Sequence, residues 1–269
     1  MAIKDEYQSI KPRYPELKGQ VAIITGGAKG IGQGIALRLG REGMQLVIAD
    51  FDGESLATTA ASLKDLGVQV LAFEGDLSQS TVIEQLFKMT QQTFNRVDLL
   101  VNNAADLERG RLLDEQGALL EQQLATNIGG PYLCSIQAAK MMKASGGGNI
   151  IHISSVGAVR AHWKAFPYDV TKGAINAMTK AMAIDLAEYN IRVNAIGPGA
   201  TKTYRTGGGE NTAVSEIANR IPLKRFGLVS EMSSVIAFLA SPEASYITGQ
   251  IIYVDGGITA QLSPPGQKL

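Results

Sequence analysis

The chain holds one cysteine, Cys134, so it cannot close an internal disulfide framework. With that single thiol and two histidines, His152 and His162, it has too few ligands for a Cys/His zinc site, and no metal is expected. An excess of either charge is also missing: 25 Lys and Arg offset 25 Asp and Glu. A chain so balanced has no field with which to hold nucleic acid or an anionic membrane. No run approaches the ~20 apolar residues needed to cross a bilayer. The opening stretch, MAIKDEYQSIKPRYPELKG, has no apolar run behind its basic residues, so we expect no signal peptide and a cytoplasmic location.

What is present is a globular composition, 45% apolar and 19% charged over 269 residues, enough for one α/β domain with a sizeable core. Apolar runs alternate with helix-length segments. The runs begin at Val21, end at Asp50 and Asp76, begin at Val97, Asn149 and Ile191, and finish with QIIYVDGG from Gln250. Most are near-continuous rather than alternating, as in strands covered on both faces, so the sheet should be parallel. Strand–helix alternation implies right-handed crossovers and a doubly wound sheet of about seven strands with helices on both faces. A helix should run from Gly30 to near Gly43, and Thr81 with Glu84 has the spacing of a capping box. Ser241-Pro242 reads as another helix start. Residues 1–18 look like an extended arm, 19–260 like the domain, and 261–269 like a tail. Residues 200–220, rich in glycine, interrupt the alternation and read as a lid over the cleft.

The turn Thr25-Gly26-Gly27-Ala28-Lys29-Gly30-Ile31-Gly32 joins the first strand to the first helix. A turn this tight needs residues without Cβ, and a helix N-terminus there offers N–H groups and a positive dipole to a pyrophosphate. Asp50 ends the second strand, where a carboxylate can accept both hydroxyls of an adenosine ribose and would repel a 2′-phosphate. Phe51 and Asp52 follow, so no arginine stands ready for that phosphate. Lys29 pulls the other way, but a lysine on a long stem can point to solvent. The balance favours NAD over NADP.

Tyr168 and Lys172 are four apart in a helical run and share one face. A free phenol, with a pKa of about 10, is too weakly acidic to serve as a base at neutral pH. A neighbouring ammonium would lower it. Ser155 lies at the end of the fifth strand, where its hydroxyl can hold a substrate oxygen, and the amide of Asn127 could fix a water.

These residues together resemble the short-chain dehydrogenase/reductase family, over about Gly19 to Gly257. The matching motifs are TGGAKGIG, Asp76-Leu77, Asn102-Asn103-Ala104-Ala105, Asn127, Ser155, Tyr168 with Lys172, Pro198-Gly199 and ITGQIIYVDGG. Ala105 stands where the family usually has glycine, and Gly197 where Asn or Ser is frequent before the proline. The resemblance implies a Rossmann-like fold and a set of roles. Tyr168 would be the general acid/base, and Lys172 would lower its pKa and bind the nicotinamide ribose. Ser155 would position the substrate oxygen, and Asn127 would hold a water leading from Lys172 to solvent. Gly26, Lys29, Gly30, Ile31, Gly32, Asp50 and Phe51 would form the adenosine and pyrophosphate seat. Asp76 and Leu77 would meet the adenine, Asn103 its ribose, and Thr201 and Thr203 the nicotinamide end. It also implies a homotetramer.

Other residues are open to two readings. His152, inside an apolar strand, reads as a satisfied core histidine. His162 and Trp163 lie between Ser155 and Tyr168, where an aromatic face suits a sugar ring or a subunit interface. Arg109 and Arg111 face either the same cleft or solvent. Tyr204 and Arg205 start the expected lid and would touch substrate. Cys134 reads as buried filler. The expected activity is NAD-dependent interconversion of a secondary alcohol and a ketone, on a sugar or small polyol. The alternatives are an NADPH-linked 3-oxoacyl-thioester reductase and a non-catalytic dinucleotide sensor.

Overall fold

The computed structural model describes residues 3–114, 117–204 and 212–267. Seven strands form one parallel sheet: β1 (Val21–Thr25), β2 (Gln45–Asp50), β3 (Val70–Glu74), β4 (Leu99–Asn102), β5 (Gly148–Ile153), β6 (Ile191–Pro198) and β9 (Ile251–Val254). Their order across the sheet is β3-β2-β1-β4-β5-β6-β9, every neighbour parallel. The order reverses between β1 and β4, and ligands of open parallel sheets bind in the crevice at such a point. Two short strands, β7 (Thr201–Lys202) and β8 (Gly227–Leu228), form a separate parallel pair.

The near-continuous apolar strands are covered on both faces. Ala22 and Ile24 of β1, with Leu46 and Ile48 of β2, join one core with helices α2 (Gly30–Arg41), α3 (Gly53–Asp65) and α9 (Val229–Ala240). Val21 and Ile23, with Val47 and Ala49, join the other, against α4 (Ser80–Phe94) and α6 (Gly130–Ala144). The alternation of side chains along a strand thus divides one apolar run between two cores. Helices α5 (Ala118–Leu124) and α7 (Phe166–Leu186) also flank the sheet, and α8 (Thr212–Arg220) lies beyond β7.

Three expectations need correction. The first residues are no extended arm: α1 (Ile3–Ser9) packs on α2, with Tyr7 buried and its hydroxyl donating to the Gly40 carbonyl at 3.3 Å. Glu42 secures the following segment by accepting from the main-chain N–H groups of Arg13 and Tyr14 while it pairs with the buried Arg38. A carboxylate with three donors holds a chain more firmly than an exposed pair could. Next, Thr81 does not cap α4, which starts one residue earlier behind Gln79 without a side-chain cap. Finally, Ser241 makes no cap bond to the short 3-10 turn Pro242–Ala244; its hydroxyl donates back to Phe238 instead. Among the described residues no helix is long and apolar enough to cross a membrane.

Candidate active site

The glycine turn is riveted to the sheet. Asn103, just past β4, donates its amide to the carbonyls of Thr25 and Gly26, both at 2.9 Å. Gly26 has φ +64°, and a Cβ there would lie 2.8 Å from the Asn103 amide nitrogen. A Cβ on Gly32 would overlap the Gly26 carbonyl oxygen. The turn is therefore as tight as its sequence implies, and the first-turn N–H groups of α2, which no helix can satisfy internally, open onto the crevice. Asp50 accepts from Ala28 N–H at 3.0 Å and from Asp52 N–H at 3.1 Å, so its carboxylate is fixed beside the turn. Lys29 does not point freely to solvent: it pairs with Asp52 at 2.7 Å and stands 5.6 Å from the Tyr204 ring centroid. Phe51 is largely exposed. Asp76 accepts from Ser78 N–H and the Gln79 amide, which hold its carboxyl below the ordinary range. Leu77 is buried beside it.

The residues expected to carry the chemistry converge at the C-terminal end of β5. Ser155 accepts from Gly157 N–H at 3.0 Å, and its hydroxyl faces the Tyr168 phenol closely enough to favour the phenolate. Burial pushes that phenol above its ordinary value, and the charge of Asp169 adds to the rise; the Ser155 bond and the charge of Arg109 pull it down. Lys172 sits 5.6 Å from the ring centroid and donates to the Ile153 carbonyl at 2.7 Å. The ammonium is therefore tied to the end of β5 while it stands beside the phenol ring. Burial drives Lys172 itself down to about 8.

Asn127 lies in a π-turn, Ala125–Gly129, between α5 and α6, an insertion that often marks functional positions. Its amide bonds through both ends. The oxygen accepts from Asp106 N–H at 2.7 Å, and the nitrogen donates to the Asp106 carbonyl and to Thr171 Oγ1. The amide braces the loop after β4.

His162 is clamped. Asp169 accepts from its main-chain N–H at 2.6 Å and meets its Nδ1 at 2.8 Å, and the ring stands 6.3 Å from that of Tyr168. Trp163 is 81% exposed and lines, with Arg109 and Arg111, a cavity of about 690 Å³. Sequence reasoning missed Asp169, whose place directly after Tyr168 was the one signal available. Tyr204 is not at the substrate end: it lies with Thr203 against Gly30 and Lys29, beside the glycine turn. Thr201 donates to the Gly199 carbonyl. Arg205 and most of the expected lid lie outside the described residues. His152 is wholly buried, but only half satisfied. Its Nδ1 meets the Asn102 amide at 3.2 Å, while Nε2 has no partner among the described residues.

A family model described as enoyl-(acyl carrier protein) reductase matches residues 26–259. A 3-oxoacyl-[acyl-carrier-protein] reductase of Synechocystis is 35% identical over 245 residues, 90% of this chain and 98% of that protein. The chain belongs to the short-chain dehydrogenase/reductase family. Among solved structures, L-sorbose reductase of Gluconobacter frateurii, complexed with NADPH and L-sorbose, superposes with a TM-score of 0.87 at 30% identity, covering 91% of this chain and 98% of that one. A 7α-hydroxysteroid dehydrogenase complexed with NADH gives 0.85 at 30% identity, covering 90% and 94%. Members of this oxidoreductase family use a nicotinamide dinucleotide, and the cradle at Gly26 and Gly32, which a Cβ would fill, fits one. The relatives span both phosphorylated and unphosphorylated forms.

Proposed function

We propose that this short-chain dehydrogenase/reductase interconverts a secondary alcohol and a ketone with NAD, on a sugar or small polyol. The observation that carries the cofactor choice is Asp50, whose carboxylate is pinned by two main-chain amides where the adenosine ribose would lie. A fixed charge there opposes a 2′-phosphate. The lysine that could have compensated is engaged with Asp52.

A bound nicotinamide supplies the hydride acceptor or donor. In oxidation, Tyr168 takes the hydroxyl proton as the carbinol C–H bond breaks; in reduction it returns that proton to the ketone oxygen. Ser155 holds the oxygen. Lys172, near 8, changes charge close to working pH and can pass the proton onward. Gly26, Gly30, Ile31 and Gly32 would seat the pyrophosphate, Asp76 and Leu77 the adenine, and Thr201 the nicotinamide end. Trp163 supports the sugar reading, because an exposed indole offers a flat apolar face to ring C–H groups.

Comparing kcat/KM for NAD and NADP with one alcohol tests this. A preference for NAD of at least about tenfold is expected, shrinking in Asp50→Ala. A preference for NADP overturns the cofactor choice and favours the NADPH-linked 3-oxoacyl-thioester reductase reading, which Lys29 and the Synechocystis relative support. A dinucleotide sensor has no use for Ser155, Tyr168 and Lys172 assembled together.

A further inference from the structure

The cavity between the loop after β4 and the segment leading into α7 is lined by Arg109, Arg111 and Lys164 against Glu108 and Asp114, with Trp163 at its wall. Arg111 spends part of its charge on Asp114, at 4.0 Å. Arg109 and Lys164 make no ion pair with any described residue. Glu108 is the one acid left to oppose them, so the described lining keeps a positive excess in a protein whose net charge is zero.

The cavity is joined to the reacting centre. Phe166, which opens α7 two residues before Tyr168, donates its N–H to the Gly110 carbonyl, so the loop carrying Arg109 is stitched to the helix carrying the phenol. The field of Arg109 reaches Tyr168 across that gap. The wall bearing Trp163 is held in shape, too. His162 is bonded twice to Asp169, and Lys164 sits in the left-handed region at φ +59°, a conformation that non-glycine residues seldom adopt. A loop fixed at both sides of an exposed indole presents that indole without having to order it on binding.

We propose that the substrate is a polyol carrying a carboxylate, a sugar acid, with its carboxylate read by Arg109 and its carbon chain laid on Trp163 while a hydroxyl faces Tyr168. The proposal rests on the secondary-alcohol reading above and adds the charge. A guanidinium fork suits a carboxylate better than an ammonium does, because it donates two parallel hydrogen bonds. Neutral alditols of the same configuration supply the same hydroxyls and no anion.

The test measures kcat and KM for a panel of aldonates (gluconate, galactonate, mannonate) and their matched alditols, with NAD and NADP, in the wild type, Arg109→Gln and Arg109→Lys. The wild type is expected to prefer the acids by tenfold or more in kcat/KM. Arg109→Gln should raise KM for the acids roughly 10- to 100-fold, the scale of a charge-assisted hydrogen bond, with KM for the alditols unmoved and any change in kcat, through the lost charge near Tyr168, shared by both series. Arg109→Lys should recover part of the loss. Equal or better use of alditols by the wild type, or a rise in KM in Arg109→Gln shared by both series, overturns the anion site and leaves the polyol reading standing. Turnover of neither series, with either cofactor, overturns both.

Discussion

At the glycine turn Asn103 donates to two main-chain carbonyls and Asp50 accepts from two main-chain amides, whereas across the crevice Trp163 is 81% exposed and Arg109 has no ion-pair partner among the described residues. One end is held by the backbone and the other presents loose side chains on a fixed frame. The contrast follows from what each end must meet. A dinucleotide has one shape, so its seat can be built into turn geometry at the point where strand order reverses. A substrate end that varies between relatives has to be rebuilt by changing loops, and loops change cheaply.

The largest expected effects test whether the two ends are separable. Gly32→Ala should abolish cofactor binding, because its Cβ would overlap the Gly26 carbonyl and push the turn open. Fluorescence titration with NADH checks this. Tyr168→Phe should do the reverse, retaining cofactor binding while cutting kcat by about 10³, within the range for loss of a general acid/base. If Tyr168→Phe turns over within tenfold of wild type, the proton assignment fails.

The same contrast governs what could be read without coordinates. Gly26, Gly32, Asp50, Ser155, Tyr168 and Lys172 were legible because each is tied to a strand end or helix period a few residues away. The doubly wound sheet followed from the apolar runs for the same reason. Tyr204 was misplaced because its neighbour is Gly30, over 170 residues earlier, and nothing local announces that meeting. The bond from Asp106 to Asn127 has no signal in the sequence, since Asp106 sits on a loop whose path no pattern specifies. The orientation of Lys172 toward Ile153 depends on packing inside the sheet. The first helix is different: Ile3, Tyr7 and Ile10 recur at i, i+4 and i+7, a helical period, and all three pack on the core. That signal was available, and Pro12 and Pro15 obscured it.

A smaller effect probes the floor beneath the catalytic residues. Burial, assisted by the charge of Lys172, drives His152 down to about 3. The unfolded chain, with an ordinary value near 6.5, therefore binds this proton more readily than the folded one. Stability from this group is complete above about pH 6.5 and declines as pH falls toward 3. Between pH 7 and 4.5 the loss is about 2–3 kcal/mol, and it depends only on the folded value lying below 4.5. Urea unfolding at both pH values, in wild type and His152→Gln, should show the pH-dependent loss smaller in the variant by that amount. Equal losses would mean that the site admits a proton, and hence water, in the folded protein.

The smallest effect sharpens the substrate end. Trp163 is so exposed that Trp163→Ala should leave Tm within about 1 °C, since surface changes away from packed features fall within ±0.5 kcal/mol. What it removes is a plate for substrate C–H groups, so KM should rise by about four- to fifteenfold, the equivalent of burying one or two methylenes. An indole is indifferent to the charge at the far end of the chain, so the rise should be equal for aldonates and alditols. Arg109→Gln separates those series; Trp163→Ala should not. A Trp163 effect confined to the acids would move the indole from the wall of the sugar site to the anion site, through contact with the guanidinium rather than with the carbon chain.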